Sequence, residues 1–253
     1  MNDTSGLFDL SGKTALVTGA SSGLGRRASQ ALVASGATVV GLARRSETLQ
    51  ALKEDLGKGF EPVVADLGGG ADFAEISERA SEPFGAPDIV VHAAGVNLRE
   101  PVDVVDQESW DATIHLNLTV PFFLSRALLD PMARKGWGRV ITFASLQTYR
   151  AFPNSIPYGA SKGGIAQLTR AMAEAWSAKG VMVNGIGPGF FPTELTQPVF
   201  DDPQKSKKNA EQTCIGRNGK VEDIDGPLVF LCSPASDYVT GQILMVDGGF
   251  SAK

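Results

Sequence analysis

What most constrains the fold of this 253-residue chain is the alternation of short, unbroken apolar runs with longer segments of helical period. Four runs lie in the first half: Thr14–Thr18 (TALVT), Thr38–Ala43 (TVVGLA), Pro62–Ala65 (PVVA) and Ile89–Ala93 (IVVHA). Three follow in the second: Arg139–Ala144 (RVITFA), Val181–Ile186 (VMVNGI) and Ile243–Val246 (ILMV). They are apolar throughout rather than at every second position. A strand of that kind is buried on both faces, the pattern of a parallel sheet covered by helices. Between the runs, the spacing predicts helices over Leu24–Ser35, Thr48–Leu56, Phe73–Ala80, Ser109–Arg134, Tyr158–Lys179 and Ile224–Leu231. Seven strands with helical crossovers make an α/β protein with a doubly wound, Rossmann-type parallel sheet and helices on both faces.

No Pro-, Gly- or Ser-rich linker divides the chain, so residues 1–253 are expected to form one domain. The least regular stretch, 189–219, carries Pro192, Pro198, Pro203 and the polar run DDPQKSKKNAEQ. It is expected to be a lid over a substrate site. A net charge of -5 speaks against nucleic acid as a partner. Cys214, Cys232, His92 and His115 lack zinc-site spacing, so no metal is expected and the cysteines read as free thiols of a reducing compartment. The start, MNDTSGLFDL, lacks the basic and apolar parts of a signal peptide, and no run of ~18 apolar residues calls for a membrane. A cytoplasmic protein is expected.

The first strand runs into TGASSGLG, Thr18 to Gly25, and then into a helix. Glycines at 19, 23 and 25 let the backbone turn sharply and let a pyrophosphate approach it, while the helix start offers free N–H groups and a positive dipole end. The turn, with Gly19, Ser21, Ser22, Gly23, Leu24 and Gly25, is therefore read as a dinucleotide cradle. The second strand ends at Ala43, followed by Arg44 and Arg45. An acidic residue at that point would accept from the 2′-hydroxyl of NAD; an arginine suits the 2′-phosphate of NADP. NADP(H) is thus expected over NAD(H), with Arg44 on the phosphate.

Further on, Ser145 follows the fifth apolar run, and Tyr158 and Lys162 stand one helical turn apart in YGASK. A free tyrosine has a pKa near ~10 and is a poor base at neutral pH. A neighbouring ammonium is expected to lower it. Ser145 is expected to orient a substrate oxygen for proton exchange with Tyr158.

Taken together, TGASSGLG, Ser145 and YGASK resemble the short-chain dehydrogenase/reductase family, and the likeness runs from Lys13 to Gly249. The resemblance implies a catalytic tetrad of Asn117, Ser145, Tyr158 and Lys162. In that tetrad Asn117 distorts its helix and holds a water that joins the lysine to a proton relay. It also implies nucleotide contacts from Asp66 and Leu67, from Ala93, Ala94 and Gly95 in HAAG, and from Pro188, Gly189 and Thr193 in PGFFPT. VDGG at 246–249 matches the family's C-terminal signature. His92 departs from the family's asparagine. The family implies a homotetramer acting on a small carbonyl or alcohol.

The segment NGIGPGFFPTELTQPVFDD is similar to gluconate 5-dehydrogenases of that family, which act on sugar acids. Leu146, Gln147, Asn154 and residues 189–209 are expected to wall the pocket, with Arg99 or Arg150 available to a substrate carboxylate. Phe190, Phe191, Leu195 and Val199 would also suit an apolar ketone. A 3-ketoacyl thioester reductase and a non-catalytic nucleotide sensor of the same fold stay open as alternatives.

Overall fold

The computed structural model describes residues 6–253; the first five residues of the expected 1–253 domain lie outside that range. Seven parallel strands form one sheet, in the order β3-β2-β1-β4-β5-β6-β7. The first half runs β1 (Thr14–Thr18), α1 (Gly23–Ala34), β2 (Thr38–Ala43), α2 (Ser46–Leu56), β3 (Phe60–Val64), α3 (Phe73–Ser81) and β4 (Ile89–His92). After it come α4 (Gln107–Ile114), α5 (Val120–Lys135), β5 (Gly138–Phe143), α6 (Ile156–Trp176) and β6 (Val181–Pro188). The chain closes with α7 (Gln197–Phe200), α8 (Pro203–Gln212), α9 (Asp225–Cys232) and β7 (Ile243–Val246).

Strand side chains alternate between two cores because successive residues point to opposite faces. Ala15, Val17, Val39, Ile89, Val91 and Ile141 pack with α1, α2 and α9; Leu16, Val40, Val90, Val140 and Val183 pack with α3, α5 and α6. Burial on both faces explains the unbroken apolar runs. The strand order reverses between β1 and β4, and the loops leaving their C-terminal ends diverge into a crevice there.

Several element ends differ from the sequence expectation. β3 starts at Phe60 and contains Pro62, whose missing N–H is tolerated because β3 is an edge strand with no partner on its outer side. β5 runs Gly138–Phe143, ending one residue before the expected Ala144, and Ser145 follows it in the loop. β6 continues to Pro188 because β7 still pairs with it at Gly187 and Pro188. The long helix expected over Ser109–Arg134 is broken by a π turn at His115–Thr119. The stretch Gln107–Lys135 is long and apolar enough to cross a membrane by length and composition, and it packs against α3 and α6.

The largest correction concerns 189–219. Its polar run is not irregular: Pro203–Gln212 is a helix with proline in its first turn. Asp202 caps it, accepting from the N–H groups of Gln204 (3.0 Å) and Lys205 (3.1 Å). Cys232 is buried and Cys214 exposed, and both are free.

Candidate active site

The glycine turn is shaped by contacts that leave no room for side chains. Gly19 has φ +70°, and a Cβ on it would lie 2.8 Å from the backbone nitrogen of Ala94. A Cβ on Gly25 would lie 2.3 Å from the carbonyl oxygen of Gly19. Turn and helix are thus locked together by backbone against backbone. α1 begins without a side-chain cap and without an acidic residue in its first turn, so its free N–H groups and positive end face an open cleft. That cradle fits a dinucleotide pyrophosphate.

The cleft has a volume of about 540 Å³. It brings together Gly19, Ser21, Ser22, Gly23, Leu24 and Gly25 of the turn with Arg44, Asp66 and Leu67. Ala93, Ala94, Gly95, Tyr158, Lys162, Pro188 and Thr193 complete the expected set on its walls. Gly189 is the exception: it lines the neighbouring cleft instead, and a Cβ on it would lie 2.8 Å from the Asp247 Cα. Sequence reasoning missed Arg45, Phe143, Ala144 and Glu194, which also line the nucleotide cleft. Arg45 and Glu194 adjoin residues it did name; what pairs them is the approach of segments 149 residues apart.

At the end of β2, Ala43 is buried and offers no carboxylate. Arg44 extends into solvent, three-quarters exposed, with Asp66 at 4.0 Å. Asp66 accepts from the Gly68 N–H at 2.8 Å, a local turn rather than a helix cap. Arg45 instead takes both carboxylate oxygens of Glu194, each at 3.0 Å, and donates to the Ser21 hydroxyl at 3.1 Å.

The four candidate catalytic residues converge where β4, β5, α4–α5 and α6 meet. Ser145 caps a short turn, its hydroxyl accepting from the Gln147 N–H at 3.1 Å. Thr148 in that turn donates to the Lys162 carbonyl at 3.1 Å, tying the turn to α6. Lys162 is buried and donates its ammonium to the Phe143 carbonyl at 2.6 Å, 5.4 Å from the Tyr158 ring centre. Asn117 sits in the π turn, where the widened ladder turns its side chain inward. Its Oδ1 accepts from the Val96 N–H (2.9 Å), and its Nδ2 donates to the Val96 carbonyl (2.9 Å) and the Ser161 hydroxyl (3.1 Å). Ser161 in turn donates to the Tyr158 carbonyl at 2.7 Å. Both polar ends of Asn117 are therefore held by protein groups.

The electrostatics correct one expectation. Burial holds the Tyr158 hydroxyl above the usual tyrosine range; the hydrogen-bonding Ser145 hydroxyl and the Arg99 charge pull it back only in part. Lys162 is directed to the Phe143 carbonyl, and its own pKa is brought down to about 8 by burial. Burial thus raises the Tyr158 hydroxyl, against the expected lowering. His92 meets the Ser125 hydroxyl at 2.7 Å. Burial keeps it neutral, its pKa down at about 3.

A second cleft of about 440 Å³ opens on the far side of Tyr158. Ser145, Leu146, Gln147, Phe190, Phe191, Leu195 and Val199 line it as expected, and so does Arg99, whose backbone takes φ +57°. Asn154 does not reach it, and Arg150 lies over the Phe250 ring, so neither joins the pocket. Lys205, Lys208 and Asn209 lie within the expected 189–209 wall, and Asn97, Phe152 and Gln212 were missed from sequence. Lys205, Lys208, Asn209 and Gln212 stand at i, i+3, i+4 and i+7 of α8, one face of a helix. That spacing, with the Asp-Pro start, was a legible signal. Among the described residues, no Asp or Glu lines this cleft.

The chain is similar over nearly its whole length to known proteins. A family model described as "Enoyl-(Acyl carrier protein) reductase" matches residues 19–251. The chain is 36% identical to a gluconate 5-dehydrogenase of Gluconobacter oxydans, over 97% of each chain. It is 32% identical to the 3-oxoacyl-[acyl-carrier-protein] reductase FabG of Escherichia coli, over 96% of this chain and 98% of the other. A crystal structure of a gluconate 5-dehydrogenase from Burkholderia cenocepacia, in complex with NADP and tartrate, superposes with a TM-score of 0.92 at 33% identity, covering 98% of each chain.

Proposed function

Given that this chain belongs to the short-chain dehydrogenase/reductase family and is an oxidoreductase of CH–OH groups, we propose that it uses NADP(H) to interconvert a carbonyl and a secondary alcohol of a sugar acid. The observation that carries the reading is the meeting of the two clefts at Tyr158, which lines both. A nicotinamide held there supplies or accepts the hydride.

The chain's own residues handle the oxygen and its proton. Ser145, steadied by the Gln147 N–H, donates a hydrogen bond to the substrate oxygen. Tyr158 gives that oxygen a proton in reduction and takes it back in oxidation. Lys162 keeps a positive charge beside the tyrosine, anchored on the Phe143 carbonyl. Asn117 is a positioning residue: it joins the Val96 backbone to Ser161 and, through Ser161, to the helix carrying Tyr158. The raised Tyr158 pKa keeps its hydroxyl protonated and able to donate.

An acidic substrate is supported by the charge of the second cleft. Arg99 and Lys208 line it with Lys205, whose ammonium pairs with Asp202 at 3.1 Å, and no carboxylate lines it, in a chain of net charge -5. Residues 189–219 serve as its lid, with α8 as the moving wall. A cytoplasmic location, read from the sequence, and a homotetramer, which the family resemblance implies, complete this reading. For the cofactor, Arg44 and Arg45 at the end of β2, with no acid at Ala43, support NADP(H) over NAD(H). A second reading, reduction of a 3-ketoacyl thioester, draws on Phe152, Phe190 and Phe191 in the same cleft.

A panel of sugar acids, polyols, keto esters and acyl thioesters, followed by nicotinamide absorbance with both cofactors, tests these readings. The expected result is turnover of a sugar acid and a lower KM for NADPH than for NADH. A preference for NADH overturns the cofactor assignment, thioester-only turnover overturns the substrate, and inactivity with tight NADPH binding points to a sensor.

A further inference from the structure

Arg44 and Arg45 follow each other in sequence but are used differently. Arg44 is exposed and only loosely near Asp66, at 4.0 Å. Arg45 is fully engaged: its two terminal nitrogens meet the two oxygens of Glu194, and one of them also meets Ser21. Arg45, with a smaller part from the nearby Ser22 hydroxyl, holds that carboxylate below the usual glutamate range. Ser21 and Ser22 belong to the glycine turn, and all four residues line the nucleotide cleft. Thr193, next to Glu194, packs against that turn: its Cβ would be 3.3 Å from one built on Gly23. The Glu194 carboxylate therefore rests on an arginine fork, the paired donor that a phosphate would seek. Carboxylate and phosphate compete for such a fork because both present paired oxygens to its parallel N–H groups.

We propose that Glu194 is an internal counter-anion, occupying Arg45 in the ligand-free chain until the 2′-phosphate of NADP(H) displaces it. The proposal rests on the NADP(H) reading above and gives the two arginines different tasks. Arg44 is free to meet the phosphate directly; Arg45 becomes available only when Glu194 leaves. The exchange also bears on the second cleft, because Leu195, Thr196 and Val199 follow Glu194 and line it.

Calorimetric titration with 2′,5′-ADP and with ADP, which lacks the 2′-phosphate, tests the exchange without turnover. Glu194→Gln keeps the side-chain shape and removes the competing charge. It is expected to tighten 2′,5′-ADP by about 2- to 5-fold, the scale of an exposed ion pair, and to leave ADP unchanged. On an Arg45→Ala background the same substitution is expected to change neither ligand. Equal weakening of both ligands by Glu194→Gln overturns the proposal, since the pair would then be a clasp that retains the nucleotide. An unchanged affinity for 2′,5′-ADP, or tightening that persists without Arg45, overturns it too. If the unaltered chain binds the two ligands equally, the NADP(H) reading fails and this inference with it; the Glu194 results alone leave that reading standing.

Discussion

The nucleotide cleft and the second cleft share Tyr158 but are made differently. The first is built from backbone: Gly19 against Ala94, Gly25 against the Gly19 carbonyl, a helix start with its N–H groups free. The second is built from side chains on segments far apart in sequence: Arg99 after β4, Gln147 after β5, Phe190 after β6, Lys205 and Lys208 on α8. A backbone site tolerates almost no added atom, because its neighbours cannot rotate away. A side-chain site tolerates substitution and changes what it accepts. The difference teaches where a common chemistry and a variable specificity can coexist on one sheet.

The largest effect is expected at the shared residue. Tyr158→Phe should lower kcat by about 10²–10⁴-fold while NADPH binding stays nearly intact, measured by turnover beside fluorescence titration. Activity that survives would remove Tyr158 from the proton step. In the backbone-built cleft, Gly25→Ala should weaken NADPH binding by about 10- to 100-fold, since its methyl meets a carbonyl that cannot move aside. Normal binding by that variant would break the comparison at its first term.

A smaller, pH-dependent effect belongs to the boundary. The buried Lys162 loses its charge through about pH 8, so kcat/KM should be level below that value and fall with rising pH, about tenfold per unit. Lys162→Met should show low activity without that limb. The linkage sign follows from the same group. Between about 8 and the ordinary lysine value of 10.5 the unfolded chain binds more protons, so the ligand-free fold should gain stability as pH rises through that window. The smallest change is expected on the side-chain wall. Lys208→Gln should raise KM for a sugar acid about 2- to 5-fold and leave KM for NADPH unchanged. A matching rise for NADPH would show that the two clefts are not separable.

Much of this site could be read without coordinates, for reasons that differ by residue. Tyr158 and Lys162 are four residues apart, and helical geometry alone puts them on one face. The glycine turn was legible because strand, glycines and helix adjoin in sequence. The Arg45–Glu194 pair was not, because nothing local in either segment refers to the other. Arg150 was misread for the converse reason: its charge was visible in the sequence, but its packing over Phe250 was not. Asp202 and Pro203 did announce α8, yet the polar composition of the run masked them.

By itself, then, the sequence determined the seven-stranded sheet, the dinucleotide cradle and the pairing of Tyr158 with Lys162. These rest on periodicity and near-neighbour spacing, which are properties of the chain. Only the tertiary structure decided that burial outweighs charge at Tyr158, that Arg45 is already occupied, and that α8 turns a cationic face to the second cleft. Solvent exclusion and the meeting of distant segments control those outcomes, and both arise only when the sheet closes around its cores.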